Sequence, residues 1–325
     1  MKILVTGGAG FIGHHVVEKL QWLGHDVFVL DDLTTYGVVP ENIHQALMLE
    51  RTANFKNPLY KLHIDDKVVK DIIRAIQPEM IIHLASFPRA KIVNANPNLG
   101  AITMIDGLFN LLDASMLANL KKFVYISSSM VYGNFEGGIT EDAECKPGSI
   151  YAAFKYSGEL ITIRAAQQHG FEYTIVRPSA VYGPRDVEDR VVSKLILNAI
   201  RGGVLNVNGI NERLDFSYVD DTADGIILAA FNNKANGEIF NITRGEDRTI
   251  HEAAQIITSM VGQGEINIRE KDPTMPSRGY LDISKAKDLL GFSPTINIEE
   301  GFKKYYEWIN SSVFCTRSSI RLVKG

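Results

Sequence analysis

Tyr151 and Lys155 stand four residues apart in SIYAAFK, within a stretch whose pattern predicts a helix. That spacing puts both side chains on one helix face. An ammonium beside a phenol favours the phenolate and draws its pKa down from about 10. The pair is therefore a candidate general base for a hydroxyl proton near neutral pH. Ser127, Ser128 and Ser129 end the preceding apolar run, KKFVYI. A serine hydroxyl there could hydrogen-bond a substrate oxygen on its way to becoming a carbonyl. Alone, a Tyr-x-x-x-Lys pair also describes an ordinary exposed helix face, so its meaning rests on what surrounds it.

Near the start, Lys2-Ile3-Leu4-Val5 reads as a buried strand and runs into Thr6-Gly7-Gly8-Ala9-Gly10-Phe11-Ile12-Gly13. Gly7, Gly10 and Gly13 follow a G-x-x-G-x-x-G spacing and open a helix. The first glycine permits a tight turn, the second a close approach to a pyrophosphate, and the third tight packing of helix on strand. The helix N-terminus adds amide donors and a positive dipole. The next strand, Val27-Phe28-Val29-Leu30, ends in Asp31-Asp32. An acid about 20 residues beyond the glycines can accept hydrogen bonds from the adenosine ribose and repels a 2′-phosphate. NAD is thus the expected cofactor rather than NADP, with Asp31 as the principal acid.

These residues need a scaffold, and the chain supplies one. Strand-like apolar runs alternate with amphipathic stretches: HDVFVLDD, then VVKDIIRAIQP and EMIIHLAS, then MIDGLFNLLDASMLANL and KKFVYISSS. Short unbroken apolar runs mark strands buried on both faces, as in a parallel sheet covered by helices. The expectation is an α/β, Rossmann-type doubly wound parallel sheet over about the first 175 residues, with a smaller C-terminal substrate lobe. The predicted division is a dinucleotide domain at 1–178, rejoined by part of 212–235, a lobe at 179–310, and a peripheral tail at 311–325. Helices are predicted over 188–202, in DISKAKDLLGFSP and in IEEGFKKYYEWIN. Asp220 and Asp221 are expected to cap a helix starting near Thr222. Trp22, Trp308 and His83 read as packing residues.

Composition sets outer bounds. The chain has 325 residues, 45% apolar and 22% charged, within the globular range. Its 34 basic against 38 acidic residues give a net charge of −4, which argues against a nucleic-acid partner. The two cysteines, Cys145 and Cys315, form neither a disulfide framework nor a metal-ligand spacing, so no metal is expected. No apolar run reaches the ~18 residues of a membrane span. The chain opens directly as a strand, without a charged leader and cleavage site, which reads as cytoplasmic.

In order along the chain, TGGAGFIG, HLAS, ISSSMVYG, SIYAAFK, RPSAVYGPRD and LDFSYVDD resemble the motifs of the extended short-chain dehydrogenase/reductases. Their nucleotide-sugar epimerase/dehydratase branch, UDP-glucose 4-epimerase-like, is the nearest match, and the resemblance covers about residues 1–310. It implies that Tyr151 is the catalytic base, Lys155 its tuner and Ser128 the hydroxyl partner. It implies that Gly7, Gly10, Phe11, Ile12, Asp31, Asp32, Ile64, Leu84, Ala85 and Ser86, with Tyr151 and Lys155, hold NAD. Ser128, Ser129, Tyr151, Ala180, Arg185, Arg213 and Arg278 would contact the nucleotide-diphosphate sugar. Family members often pair as homodimers through helices that correspond here to about 100–119 and 151–169.

The resemblance implies an epimerase acting at carbon 4 through a transient keto sugar. The alternatives are a 4-ketoreductase of a keto-deoxy sugar nucleotide, using NAD(P)H, and a non-catalytic dinucleotide-binding regulator. Departures from the family pattern narrow the choice. Dehydratases carry an Asp-Glu pair where this chain has Ser129 and Met130, and a methionine transfers no proton. The family's adenine-binding Asp aligns with His63, an Asn with Met104, and the substrate-binding Asn of R-x-x-N-V-Y-G with Ala180.

Overall fold

The computed structural model describes residues 1–34, 39–87, 90–186, 190–273 and 275–311. The first elements are β1 (Lys2–Thr6), α1 (Phe11–Trp22), β2 (Asp26–Asp31), α2 (Glu41–Thr52), β3 (Leu59–Lys61), α3 (Val69–Ile76) and β4 (Met80–His83). Then come α4 (Ala90–Ala95), α5 (Pro97–Ala101), a π-helical turn (Ile102–Asp106), α6 (Gly107–Ser115), β5 (Lys122–Ile126), α7 (Ile150–His169) and β6 (Glu172–Arg177). The chain continues through α8 (Val191–Ile200), β7 (Val204–Asn208), β8 (Arg213–Leu214), α9 (Val219–Phe231), β9 (Glu238–Asn241), β10 (Arg248–Thr249) and α10 (Ile250–Val261). It ends with β11 (Glu265–Arg269), α11 (Ser284–Leu290) and α12 (Ile298–Ser311).

Seven of the described strands form one parallel sheet in the order β3-β2-β1-β4-β5-β6-β9. Alternation along β1 sends Ile3 and Val5 to one face and Leu4 to the other. Helices α1, α9 and α11 cover the first face with Val16, Val17, Leu20, Ile226 and Leu290. Helices α3, α6 and α7 cover the second with Ile72, Ile73, Leu108, Leu111 and Ala166. Each fully buried aliphatic side chain of this kind stabilises the fold by about 1.5–3 kcal/mol. Strand order reverses between β1 and β4, and ligands bind outside the carboxyl ends of strands at such a switch point. The glycine loop, Asp31, Leu84–Ser86, Ser127–Ser129 and Pro178–Ala180 all follow strand ends on that edge.

The return to the sheet goes further than the sequence predicts. Helix α9 packs on α1, and β9 then pairs with β6 from Thr174–Glu238 to Arg177–Asn241. A four-residue strand carries little pattern of its own, and its place is decided by the helix before it. The remaining residues build a lobe around Leu195, Ile196, Leu205, Val207, Phe216, Ile257 and Phe302. There β7 pairs in parallel with β11, and β8 antiparallel with β10.

Smaller expectations are also corrected. Helix α9 begins at Val219, not near Thr222, so Asp220 and Asp221 lie in its first turn. Asp221 instead accepts hydrogen bonds from the amides of Thr295 and Ile296, both at 3.0 Å, while His15 Nδ1 lies 2.8 Å from Asp220. Trp22 is 84% exposed rather than packed in the core. Trp308, by contrast, packs against the lobe core as expected, and it also donates to Glu50 at 2.7 Å. The predicted tail beyond Ser311 lies outside the described residues, as do residues 188 and 189 of the predicted helix. No helix among the described residues is long and apolar enough to cross a membrane.

Candidate active site

The glycine loop is shaped by what surrounds it. Gly7 has a φ of 69°, and a Cβ there would press on the Ala85 backbone, 2.5 Å from its nitrogen. A Cβ at Gly13 would collide with the Gly7 carbonyl oxygen, so this glycine lets α1 close onto the loop. No side chain caps the start of α1 at Gly10, which leaves the first-turn amides for an anion. Asp31, at the end of β2, accepts from the Ala9 amide at 3.0 Å and the Leu33 amide at 2.9 Å. Burial raises its pKa to about 6, with the Asp32 charge adding to the rise and the two amides opposing it. This cradle, with its glycine clearances and its carboxylate, fits a dinucleotide.

The second group comes from β5 and α7. Ser128 caps the short 3₁₀ turn after β5, its Oγ accepting from the Met130 amide at 3.2 Å. Ser129 is buried and donates to Ser179 Oγ at 3.0 Å. Ser149 caps α7, accepting from Ala152 N, so the helix begins just before Tyr151. Lys155, one turn on, is buried and donates to the Ile126 carbonyl at 2.8 Å. Desolvation pulls its pKa down to about 7, against the pull of Glu159. His83 is buried with Nδ1 2.7 Å from Thr6 Oγ1; burial, then the Lys155 charge, takes its pKa to about 3, so it is neutral.

One cavity of about 810 Å³ joins both groups to the lobe. Gly7, Gly10, Phe11, Ile12, Asp31, Asp32, Ile64, Leu84, Ala85 and Ser86 line its dinucleotide end. Ser128, Ser129, Tyr151, Lys155 and Ala180 line its middle, and Arg213 and Arg278 its lobe side. Arg278 donates to Ser129 Oγ at 3.4 Å, and Arg213 pairs with Asp247 at 2.7 Å. Ala180 holds a φ of 36° and offers the cavity no polar side chain.

Arg185 does not line this cavity. Its φ of 65° turns the side chain outward, where it pairs with Glu18 of α1 at 3.0 Å and Glu50 of α2 at 3.6 Å. One arginine that the sequence does not announce is Arg51 of α2. It is 1% exposed, lines the cavity, and donates to the carbonyls of Ala9 at 3.4 Å and Arg185 at 2.7 Å. A lone arginine in ALMLERT gives no local signal of this. His63 stands 2.5 Å from Asp65 through Nδ1 and 3.1 Å from Thr103 through Nε2, at the dinucleotide end.

A family model described as the NAD dependent epimerase/dehydratase family matches residues 3–243. The chain belongs to that family. It is 31% identical over 319 residues to the UDP-glucose 4-epimerase of Mycolicibacterium smegmatis, covering 96% of this chain and 99% of that protein. It is also 30% identical to a UDP-N-acetyl-alpha-D-glucosaminuronate decarboxylase of Bacillus cytotoxicus, over 94% of this chain and 97% of that one. Among solved structures, UDP-glucuronic acid 4-epimerase from Bacillus cereus, in complex with UDP-glucuronic acid and NAD, superposes with a TM-score of 0.87. That match has 28% identity over 95% of this chain and 99% of that one. These relatives thus cover nearly all of this chain, and their names carry more than one activity.

Proposed function

We propose that this protein is a NAD-dependent 4-epimerase of a nucleotide-diphosphate sugar. The observation that carries the reading is the shared cavity, which brings Ser128, Tyr151 and Lys155 together with the glycine loop, Asp31 and the lobe arginines. Similarity over the full length to 4-epimerases supports it. NAD, when bound, supplies a hydride acceptor and donor. Gly7, Gly10 and the first turn of α1 would hold its pyrophosphate, and Asp31 its adenosine ribose.

The protein's own residues handle the proton. Tyr151 takes it from the sugar hydroxyl, and the Lys155 ammonium favours the phenolate that does so. Ser128 hydrogen-bonds the oxygen as it becomes a ketone. Once the keto sugar has turned in the cavity, Tyr151 returns the proton. Arg278 and Arg213 would hold the diphosphate while the sugar turns. Elimination of water is not served here, because Ser129 is engaged with Ser179 and Met130 has no proton to give. Incubation with UDP-, GDP-, CDP- and dTDP-sugars and catalytic NAD, without reductant, tests the reading. An epimerase brings two stereoisomers to one ratio from either side, whereas a ketoreductase leaves them unchanged.

Two copies would pair through α5, α6 and α7, where Leu99, Phe109, Ile150 and Leu160 are all exposed. Light scattering at micromolar concentration checks this, with a monomer mass as the contrary result.

A further inference from the structure

We propose that the buried Glu159–Arg177 pair is a positioning pair that sets the protonation and placement of Lys155. The proposal rests on the reading of Lys155 as the tuner of the Tyr151 base. Tyr151, Lys155 and Glu159 recur every four residues along α7 and so share one face. Glu159 is 1% exposed and outside the cavity lining. Its carboxylate takes a bidentate pair from Arg177, Nη2 at 2.6 Å and Nε at 2.9 Å, and a hydrogen bond from Ser127 Oγ. Arg177 also donates to Tyr132 at 2.8 Å, and Tyr132 to Asn241 at 2.8 Å. One carboxylate thus ties α7 to the ends of β5 and β6, the elements that present Lys155, Ser128 and Ala180. Helix α7 can lie this close because Gly158 faces the Tyr125 hydroxyl, where a Cβ would not fit.

The electrostatics point the same way. Lys155 is buried, its ammonium 5.5 Å from the centre of the Tyr125 ring, where desolvation favours the neutral amine. Glu159 is the carboxylate that opposes this, and Arg177 behind it is its partner of opposite charge. Two of the other titratable groups facing Lys155, His83 and Tyr125, carry no charge at neutral pH. Burial takes His83 on β4 down to about 3 and pushes Tyr125 on β5 well up, and Tyr151 is the base itself. Arg278 acts across the cavity on Tyr151.

Competitive acetic-anhydride labelling of the folded protein across pH, read by mass spectrometry on the α7 peptide, reports the Lys155 midpoint without substrate or cofactor. Glu159→Gln leaves the Arg177 charge unanswered and should lower the midpoint by about one pH unit. Arg177→Met should raise it. The E159Q/R177M double variant removes both charges of the pair and should fall between the two. Each single variant has its own direction, so one folded single beside the double decides the test. Midpoints that do not move, or that move the same way in both singles, overturn the proposal. The alkaline limb of kcat should follow the labelling. Labelling as predicted without epimerisation would fault the assigned reaction and leave the pair's role standing; unmoved midpoints with intact epimerisation would fault the pair alone.

Discussion

Arg278 reaches Ser129, 149 residues away, with its Nη1 3.4 Å from the serine hydroxyl, and so stands beside the serine loop that follows β5. The backbone around it is fixed. Gly279 donates to the Phe135 carbonyl at 3.0 Å, and any Cβ at Gly279 would strike the Glu136 carbonyl. Arg278→Gln should therefore lower kcat/KM by about a hundredfold, the cost of a lost charged hydrogen bond, or about 2–3 kcal/mol. Arg278→Lys keeps the charge, loses the fork, and should fall between. Steady-state kinetics beside a thermal melt checks this, since the melt should barely move.

Asp31 links the end of β2 to the glycine loop 22 residues earlier through the Ala9 amide. As an ionised carboxylate it can accept from the ribose hydroxyls through both oxygens; protonated, it accepts fewer and weaker hydrogen bonds. With its pKa raised to about 6 by burial, NAD affinity should weaken as pH falls from 7.5 through 6 to 5. Asp31→Asn should bind NAD about tenfold more weakly at pH 7.5 and lose the pH dependence. Calorimetric titration at the two pH values tests both statements.

Asp215, in the LDFSYVDD segment, is fully buried and accepts from the amides of Arg244 at 3.0 Å, Gly245 at 3.1 Å and Leu281 at 3.2 Å. Burial nonetheless raises its pKa from 3.8 to about 7. The folded state then holds a proton that the unfolded chain has released between those values. This group's contribution is full below about pH 4 and is lost as pH rises through 7. Asp215→Asn should flatten that part of the stability profile. It should also cost about 1–3 kcal/mol, because its amide nitrogen would meet amide donors. Urea unfolding at pH 4.5, 6 and 7.5 measures both.

Ala180 adopts a φ of 36°, a conformation that costs a Cβ-bearing residue roughly 1 kcal/mol. Ala180→Gly should raise the unfolding free energy by less than about that amount, since glycine gives back some of it in chain entropy. Unchanged or reduced stability would mean that the surrounding loop draws its shape from the Ala180 methyl.

The parts of this protein that announce themselves in sequence are those whose chemistry is local. The glycine loop, Asp31 and the Tyr151–Lys155 spacing are readable because a turn, a strand end and a helix repeat each fix their geometry within a few residues. What stayed hidden depends on distant partners. Strand β9 finds its place beside β6 only because α9 packs on α1. Arg51 lines the cavity where it reaches the carbonyls of Ala9 and Arg185, while the Arg185 side chain pairs with glutamates on α1 and α2. Strands β7 and β11 lie 61 residues apart at Asn206 and Asn267, and five alternating residues in each do not say which strand it will pair with. Glu159 was in plain view on the Tyr151–Lys155 face, but its partner on β6 was not.

The most direct measurement follows a purified UDP-hexose with catalytic NAD and no reductant by proton NMR, in wild type and in Tyr151→Phe. The account predicts that wild type brings the two C4 stereoisomers to the same ratio from either side. It predicts that Tyr151→Phe, still binding NAD, loses at least about a hundredfold in rate. Full activity in Tyr151→Phe, or a wild type that converts no nucleotide sugar without a stoichiometric reductant, would contradict it.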